Sequence, residues 1–230
     1  MSPICRHPIT WLIGVGEPMA GFPSQVGPTP REDSPLIGVV ALQGGFAEHV
    51  AALQDCGAHT RLVRRPAELA GLDGIVVPGG ESTVLDKLSR AFGLAEPLRR
   101  AIAGGLPTLA TCAGLVLISD ELTDAAPGQQ TLGVLRVRAQ RNAFGRQLAS
   151  FETTLSVDGV GDDVEAVFIR APVIDEVGAD VEVVARVDER IVGVRQGDIT
   201  ALAFHPELTG DRRIHAAFVA SVDAHLPVAA

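Results

Sequence analysis

The chain has 230 residues, 47% of them hydrophobic and 20% charged, which suits one folded domain, or one domain with an appendage. A formal net charge of -9 and a pI near 5.1 argue against a phosphate-backbone partner, so nucleic acid is not expected to bind. Cys5, Cys56 and Cys112 cannot all pair and match no zinc spacing, and the apolar run Ile9–Val15 is too short to span a bilayer, so the expectation is a cytoplasmic protein with no membrane partner.

Residues 1–34 carry Pro3, Pro8, Pro18, Pro23, Pro28 and Pro30 and show neither period 2 nor period 3.6. They are expected to be a disordered extension, with the folded domain in residues 35–230. The pattern changes at Leu36. Leu36 to Leu42 is a continuous apolar run, the mark of a strand buried on both faces of a parallel sheet. A helical stretch follows Gln43-Gly44-Gly45 and ends near Cys56-Gly57. Strands are expected at Thr60–Val63, Gly74–Val77 and Pro107–Thr111, with helical segments around Ser82–Arg90 and Pro97–Ala103 between them. This alternation predicts an α/β fold: an open, mostly parallel sheet with helices on both faces and its chemistry at the carboxyl ends of the strands. The second half is β-rich, at Leu132–Val137, Phe151–Val157, Val164–Ile169, Val181–Val187, Ile191–Arg195 and Thr200–Phe204. These strands, some antiparallel, are expected to return to the main sheet before a last helix from about Asp211 to Ala224.

Three segments carry chemistry. In Leu109-Ala110-Thr111-Cys112-Ala113-Gly114-Leu115 a strand runs straight into a small-residue helix start with a thiol at the turn, the layout of a nucleophile elbow. A helix N-terminus there favours the thiolate. A lone cysteine without that context is a small buried hydrophobe, and Cys5 and Cys56 are read that way. In Phe204-His205-Pro206-Glu207, directly after a predicted strand, side chains two apart share a side, so Glu207 can hold one ring nitrogen of His205 while the other faces the thiol. In Val77-Pro78-Gly79-Gly80-Glu81-Ser82-Thr83, a glycine-rich strand-to-helix turn offers backbone N–H groups to an oxyanion or a carboxylate. No phosphate-loop or dinucleotide fingerprint is present, so nucleotide binding is not indicated.

From Ile37 to about Val222 the chain resembles the class I, or triad, glutamine amidotransferases, and within them the glutaminase subunits of pyridoxal 5′-phosphate synthases. The resemblance rests on Leu42-Gln43-Gly44 with Glu48-His49, on Pro78 to Thr83, on Thr111-Cys112-Ala113-Gly114, on Arg141 to Gln147, on Ser150-Phe151-Glu152, on Phe168 to Pro172, and on Phe204 to Thr209. It implies a flavodoxin-like three-layer fold and hydrolysis of L-glutamine to L-glutamate and ammonia through Cys112, His205 and Glu207. It further implies glutamine binding by Gly80, Glu81, Ser82, Arg141, Ile169 and Arg170, and no cofactor. Backbone N–H groups near Gly80 and Ala113 would hold the oxyanion. The implied partner is a separate synthase subunit that receives the ammonia and on which hydrolysis depends. Glutamine presents a carboxylate and an ammonium, which call for a fork such as arginine and an acceptor such as glutamate. Arg136 and Arg138 are read as solvated strand-edge charges. One residue departs from the family pattern: Ala110 stands where glycine is usual. Two other readings are a glutaminase for a different synthase, against which the Arg141–Gln147 and Phe168–Pro172 matches speak, and a non-catalytic partner subunit, against which the intact Cys112, His205 and Glu207 speak.

Overall fold

The computed structural model describes residues 33–226 except 142 and 144–149. The expected extension therefore lies almost wholly outside the described residues, as does most of the Arg141–Gln147 motif.

Five parallel strands form one half of a ten-stranded sheet: β1 (Leu36–Val40), β2 (His59–Val63), β3 (Gly74–Val77), β4 (Thr108–Thr111) and, far along the chain, Ile199–Leu202. The last of these, β12, lies beside β4, so the order is β2-β1-β3-β4-β12. In the inner strands β1, β3, β4 and β12 apolar residues are buried on both faces, which is why β1 reads as an unbroken run rather than an alternating one. Ile37, Val39, Val76 and Leu109 point into one core, while Val40, Ile75, Val77 and Ala110 point into the other. Helices cover both faces, as the alternation predicts. On the first face α1 (Phe46–Asp55) packs against α5 (Arg213–Asp223), and the second carries α2 (Ser82–Ala91), α3 (Ala95–Ala103) and α4 (Ala113–Ile118).

The rest of the sheet is mixed: β5 (Ser119–Leu122), β6 (Leu135–Gln140), β9 (Val173–Val177), β10 (Glu182–Val187) and β11 (Arg190–Gln196). β11 runs antiparallel to β12, β10 and β9, β9 antiparallel to β6, and β6 parallel to β5 at the edge. β5 and β9 were not expected. The strand expected at Leu132–Val137 begins later, at Leu135, because the N–H groups of Leu132 and Val134 close instead on carbonyls at the end of α4. β7 (Ser150–Val157) and β8 (Gly161–Ile169) do not return to the main sheet. They pair with each other as a separate antiparallel ribbon. Phe168 anchors that ribbon: it is buried, stacked on Phe151 at 4.6 Å between ring centroids and tilted against Phe204 at 5.5 Å.

The β4–α4 junction admits little change. A methyl group on Gly114 would sit 1.9 Å from the carbonyl oxygen of Val77 on the neighbouring strand, and the backbone on both sides is buried. Ala110, by contrast, is not among the residues with positive φ, and its methyl group packs into the core beside Val77 and Ala201. The elbow accommodates it. Gly114→Ala is therefore expected to cost about 1–3 kcal/mol or more by overpacking. At roughly 2–4 °C per kcal/mol for a domain of this size, this is a fall in melting temperature of several degrees, readable by thermal denaturation. An unchanged melting temperature would show that the strand and helix can part at no cost.

Candidate active site

Four neighbouring parallel strands, β1, β3, β4 and β12, end on the same edge, and their extensions make the site. After β4 comes Cys112, whose φ of 47° and ψ of -106° put a non-glycine residue in a sparsely populated region. Its N–H is donated to the carbonyl of Leu202 at 2.8 Å, and α4 begins at once with Ala113. After β12, Phe204 is fully buried and the N–H of His205 is donated to Val167 of the β7–β8 ribbon at 2.8 Å. His205 Nδ1 lies 2.7 Å from Glu207 Oε1, and Cys112 is near enough for its sulfur to raise the pKa of the ring. Cys112, His205 and Glu207 thus meet as expected, all three buried.

Gly79, after β3, closes this arrangement from the side. A Cβ there would stand 2.3 Å from His205 Cε1 and 3.1 Å from Cys112 Cβ, so only glycine leaves the triad its room. The Gly79 N–H is donated to Thr111 Oγ1 at 3.0 Å, and its carbonyl accepts from Gly45 N–H at 3.3 Å. The loop after β1 holds the next turn: Gln43 Oε1 accepts from the N–H of Glu81 at 2.7 Å.

In front of Cys112 opens a cavity of about 310 Å³ lined by Gly80, Glu81, Ser82, Ala113, Arg141, Ile169 and Arg170, together with Gln43, Val116, Pro172 and His205. Every residue expected to bind glutamine is therefore on one wall or another. Its size is at the lower end of small-ligand pockets, about 300–1,000 Å³. Ile169 and Arg170 arrive on the end of β8, so the ribbon that braces His205 also delivers part of the pocket wall. The Glu81 carboxylate caps α2, accepting from the N–H groups of Thr83 at 3.2 Å and Val84 at 2.8 Å and from the Thr83 hydroxyl. Partial burial pushes its pKa up, but those hydrogen bonds, helped by the Arg141 charge, leave it below the usual carboxylate range.

Sequence reasoning passed over several residues here. Gln129 ties the pocket together: its amide N–H is donated to Ser82 Oγ at 3.2 Å, and its carbonyl accepts from Arg141 Nη1 at 2.9 Å. His49 and Thr111 lie behind the triad, with His49 Nε2 3.2 Å from Glu207 Oε2 and 3.1 Å from Thr111 Oγ1. His49 belongs to a motif quoted for the resemblance, and its spacing to Glu207 holds no local signal. Arg136 and Arg138 pair with exposed carboxylates of Asp180, Glu121 and Glu176, as solvated edge charges would.

Burial works against charge on His205, yet the hydrogen bonds to Cys112 and Glu207 and their charges outweigh it and push the imidazole pKa up to about 10. Burial likewise opposes ionisation of Glu207, and the hydrogen bond and charge of His205, with His49 close against the other oxygen, overcome it, holding the carboxyl well below its usual range. The site is thus built around an imidazolium and a carboxylate, both shielded from water.

The model of the SNO glutamine amidotransferase family matches residues 39–224. The chain is 60% identical over 196 residues to the pyridoxal 5′-phosphate synthase subunit PdxT of Cutibacterium acnes, across 82% of this chain and 98% of that one. It is 56% identical over 187 residues to the pyridoxal 5′-phosphate synthase subunit PdxT of Corynebacterium diphtheriae, across 81% and 100% of the two chains. Among solved structures, one described as a glutamine amidotransferase superposes with a TM-score of 0.77 at 45% identity, covering 81% of this chain and 98% of that one. PurLQS from Thermotoga maritima, at a TM-score of 0.60 and 21% identity over 82% and 97% of the two chains, shares the fold.

The raised pKa of His205 has a consequence for stability. Its contribution is fully present below the ordinary imidazole value of 6.5 and is lost as pH rises through about 10. The difference in melting temperature between the wild-type chain and His205→Gln is therefore expected to be largest near about pH 6 and to shrink towards pH 10. A difference that stays constant across that window would remove the charged pairing.

Proposed function

The chain belongs to the SNO glutamine amidotransferase family, and we propose that it supplies ammonia for pyridoxal 5′-phosphate synthesis by hydrolysing L-glutamine at Cys112, with His205 and Glu207 completing the triad. The observation that carries this reading is a strained strand-end thiol and a buried imidazole at the wall of the Arg141-lined cavity, with a buried carboxylate behind the imidazole.

Chemistry follows from the geometry. Glutamine enters with its side-chain amide towards Cys112 and its α-carboxylate and α-ammonium among Arg141, Arg170, Glu81 and Ser82. The Cys112 thiolate attacks the amide carbon, and the oxyanion is met by N–H groups of Gly80 and of Ala113, the first residue of α4, whose N–H has no partner inside its own helix. As the intermediate collapses, the His205 imidazolium gives its proton to the departing nitrogen and ammonia leaves a glutamyl thioester. His205, now neutral, takes a proton from water as that water attacks the thioester. Collapse of the second intermediate expels the thiolate and frees glutamate. Glu207 holds Nδ1 throughout, so the other ring nitrogen stays on the sulfur side.

The relatives are named as subunits of pyridoxal 5′-phosphate synthase, which supports a separate synthase subunit as the consumer of the ammonia. A free catalytic thiol supports action in the reducing cytoplasm. Among the described residues no helix is long and apolar enough to cross a membrane.

Cys112→Ala is expected to abolish ammonia release in the presence of a synthase subunit, while Cys56→Ala leaves it nearly intact. A glutamine-analogue alkylator should add its mass at Cys112 and at no other cysteine, by mass spectrometry of digested protein. Substantial turnover by Cys112→Ala would refute the nucleophile. Arg141→Ala is expected to raise KM for glutamine about ten- to hundredfold, the loss of one charge-assisted contact. A fall in kcat alone would place this arginine elsewhere in the reaction.

A further inference from the structure

His49 and His215 are fully buried, lie outside the glutamine cavity, and take no part in the mechanism above. His49 stands on α1 and His215 on α5, and their rings lie 5.2 Å apart between centroids. His49 Nδ1 is 3.0 Å from His215 Nε2. His49 Nε2 is 3.2 Å from Glu207 Oε2 and 3.1 Å from Thr111 Oγ1. The other Glu207 oxygen is already taken by His205.

These distances place the protons. An ionised carboxylate only accepts, so a lone pair on His49 Nε2 facing Glu207 Oε2 would be repulsive, and the hydrogen must be on Nε2. Thr111 Oγ1, at 3.1 Å, is the hydrogen-bond partner of that ring nitrogen, and Oε2, a buried oxygen with no hydrogen bond of its own among the described residues, is held against it as an ion-pair contact at 3.2 Å. Neutral His49 then offers a lone pair at Nδ1, which the Nε2–H of His215 fills. The last atom of the chain, His215 Nδ1, is left as a bare acceptor, and it is a buried side-chain atom with no partner among the described residues. The reverse sense would strand an N–H there, the costlier end. Burial holds His215 down to a pKa of about 3, neutral as this pattern requires. The charged groups facing the pair are Glu207, with His205 beyond it, and Arg212 at the start of α5.

We propose that His49 is a positioning residue for glutamine hydrolysis, acting through Glu207, and that His215 fixes the tautomer in which it does so. The structure thereby extends the triad into a buried chain from α5 to the nucleophile: His215, His49, Glu207, His205, Cys112. The inference rests on Glu207 orienting His205. Without the His49 donor, Glu207 Oε2 is a buried carboxylate oxygen facing no N–H, and protonation of Glu207 becomes easier. A protonated Glu207 no longer supports the His205 imidazolium.

The test measures kcat/KM for glutamine in the complex of the full chain with its synthase subunit, from about pH 5 to pH 9. His49→Leu is expected to lower kcat/KM about ten- to hundredfold, as loss of an outer-shell partner commonly does, mainly through kcat because the pair lies outside the cavity. The acid limb of the profile should move up towards neutral pH. His49→Gln, which can place an N–H near the Nε2 position, should recover most of the rate and the original limb. His215→Leu should shift the limb in the same direction by less. Where His49→Leu does not fold, His49→Gln and His215→Leu decide. A profile for the leucine variants identical to wild type, or a glutamine variant as impaired as leucine, would reduce the pair to packing and overturn the proposal. A wild-type complex that releases no ammonia from glutamine would instead overturn the function itself.

Discussion

Glu207 carries a negative charge to a place that water barely reaches, and much of the surrounding structure answers that one demand. An isolated carboxylate in such a setting would take up a proton rather than remain ionised. It stays ionised because His205 meets one oxygen at 2.7 Å and His49 the other at 3.2 Å. Those partners come from opposite ends of the chain: one follows β12, the other sits in the second turn of α1. His49 cannot approach unless α1 lies on the sheet against α5. The apolar packing of Leu53, Phe218, Val219 and Val222 therefore does more than fill space. It brings an imidazole to a carboxylate.

The same edge of the sheet carries a second demand, for close approach of backbone to backbone. Gly44 faces the Gly79 carbonyl, Gly79 faces His205 and Cys112, and Gly114 faces the Val77 carbonyl, each at a separation that no Cβ could share. Glycine here is a matter of volume more than of flexibility. Three strand ends can converge on one sulfur atom only if their turns are bare, which is why small residues crowd Gln43–Gly45, Pro78–Gly80 and Ala113–Gly114.

What the sequence made legible follows from the range of each signal. The buried parallel strands and the Cys112 turn could be read because burial on both faces leaves an unbroken apolar run, and because a strand, a thiol and small residues are adjacent along the chain. β5 and β9 escaped because their polar stretches, Asp120-Glu121 and Asp175-Glu176, lie at exposed positions and read as turns. The β7–β8 ribbon was legible as two strands yet not as a sheet of its own, since alternation reveals which face is buried and not which strand is the neighbour. The cavity residues came from motifs quoted for the resemblance, whereas Gln129 lies in a stretch with no pattern of its own. His49 and His215 are 166 positions apart. No periodicity on α1 or α5 distinguishes a histidine that meets a carboxylate from one that merely packs.

Both demands end at the nucleophile, and that explains its location. A residue held at a positive φ outside glycine stores strain on the order of 1–3 kcal/mol, and it persists only where the surroundings leave no easier conformation. Cys112 is at the end of β4, a central strand paired on one side to β3 and on the other to β12, and it opens α4, every residue of which is buried. Its own N–H is bonded across to Leu202 and its carbonyl accepts from Val116. Neither the strand nor the helix can shift to relax the turn without opening both cores. Placing the reactive thiol at the edge of the sheet, on β2 or β5, would have freed it to relax. In the middle, the packing that stabilises the fold is also what keeps the sulfur turned towards His205. A core change that loosens the β4–α4 anchor should therefore disturb catalysis before it unfolds the chain.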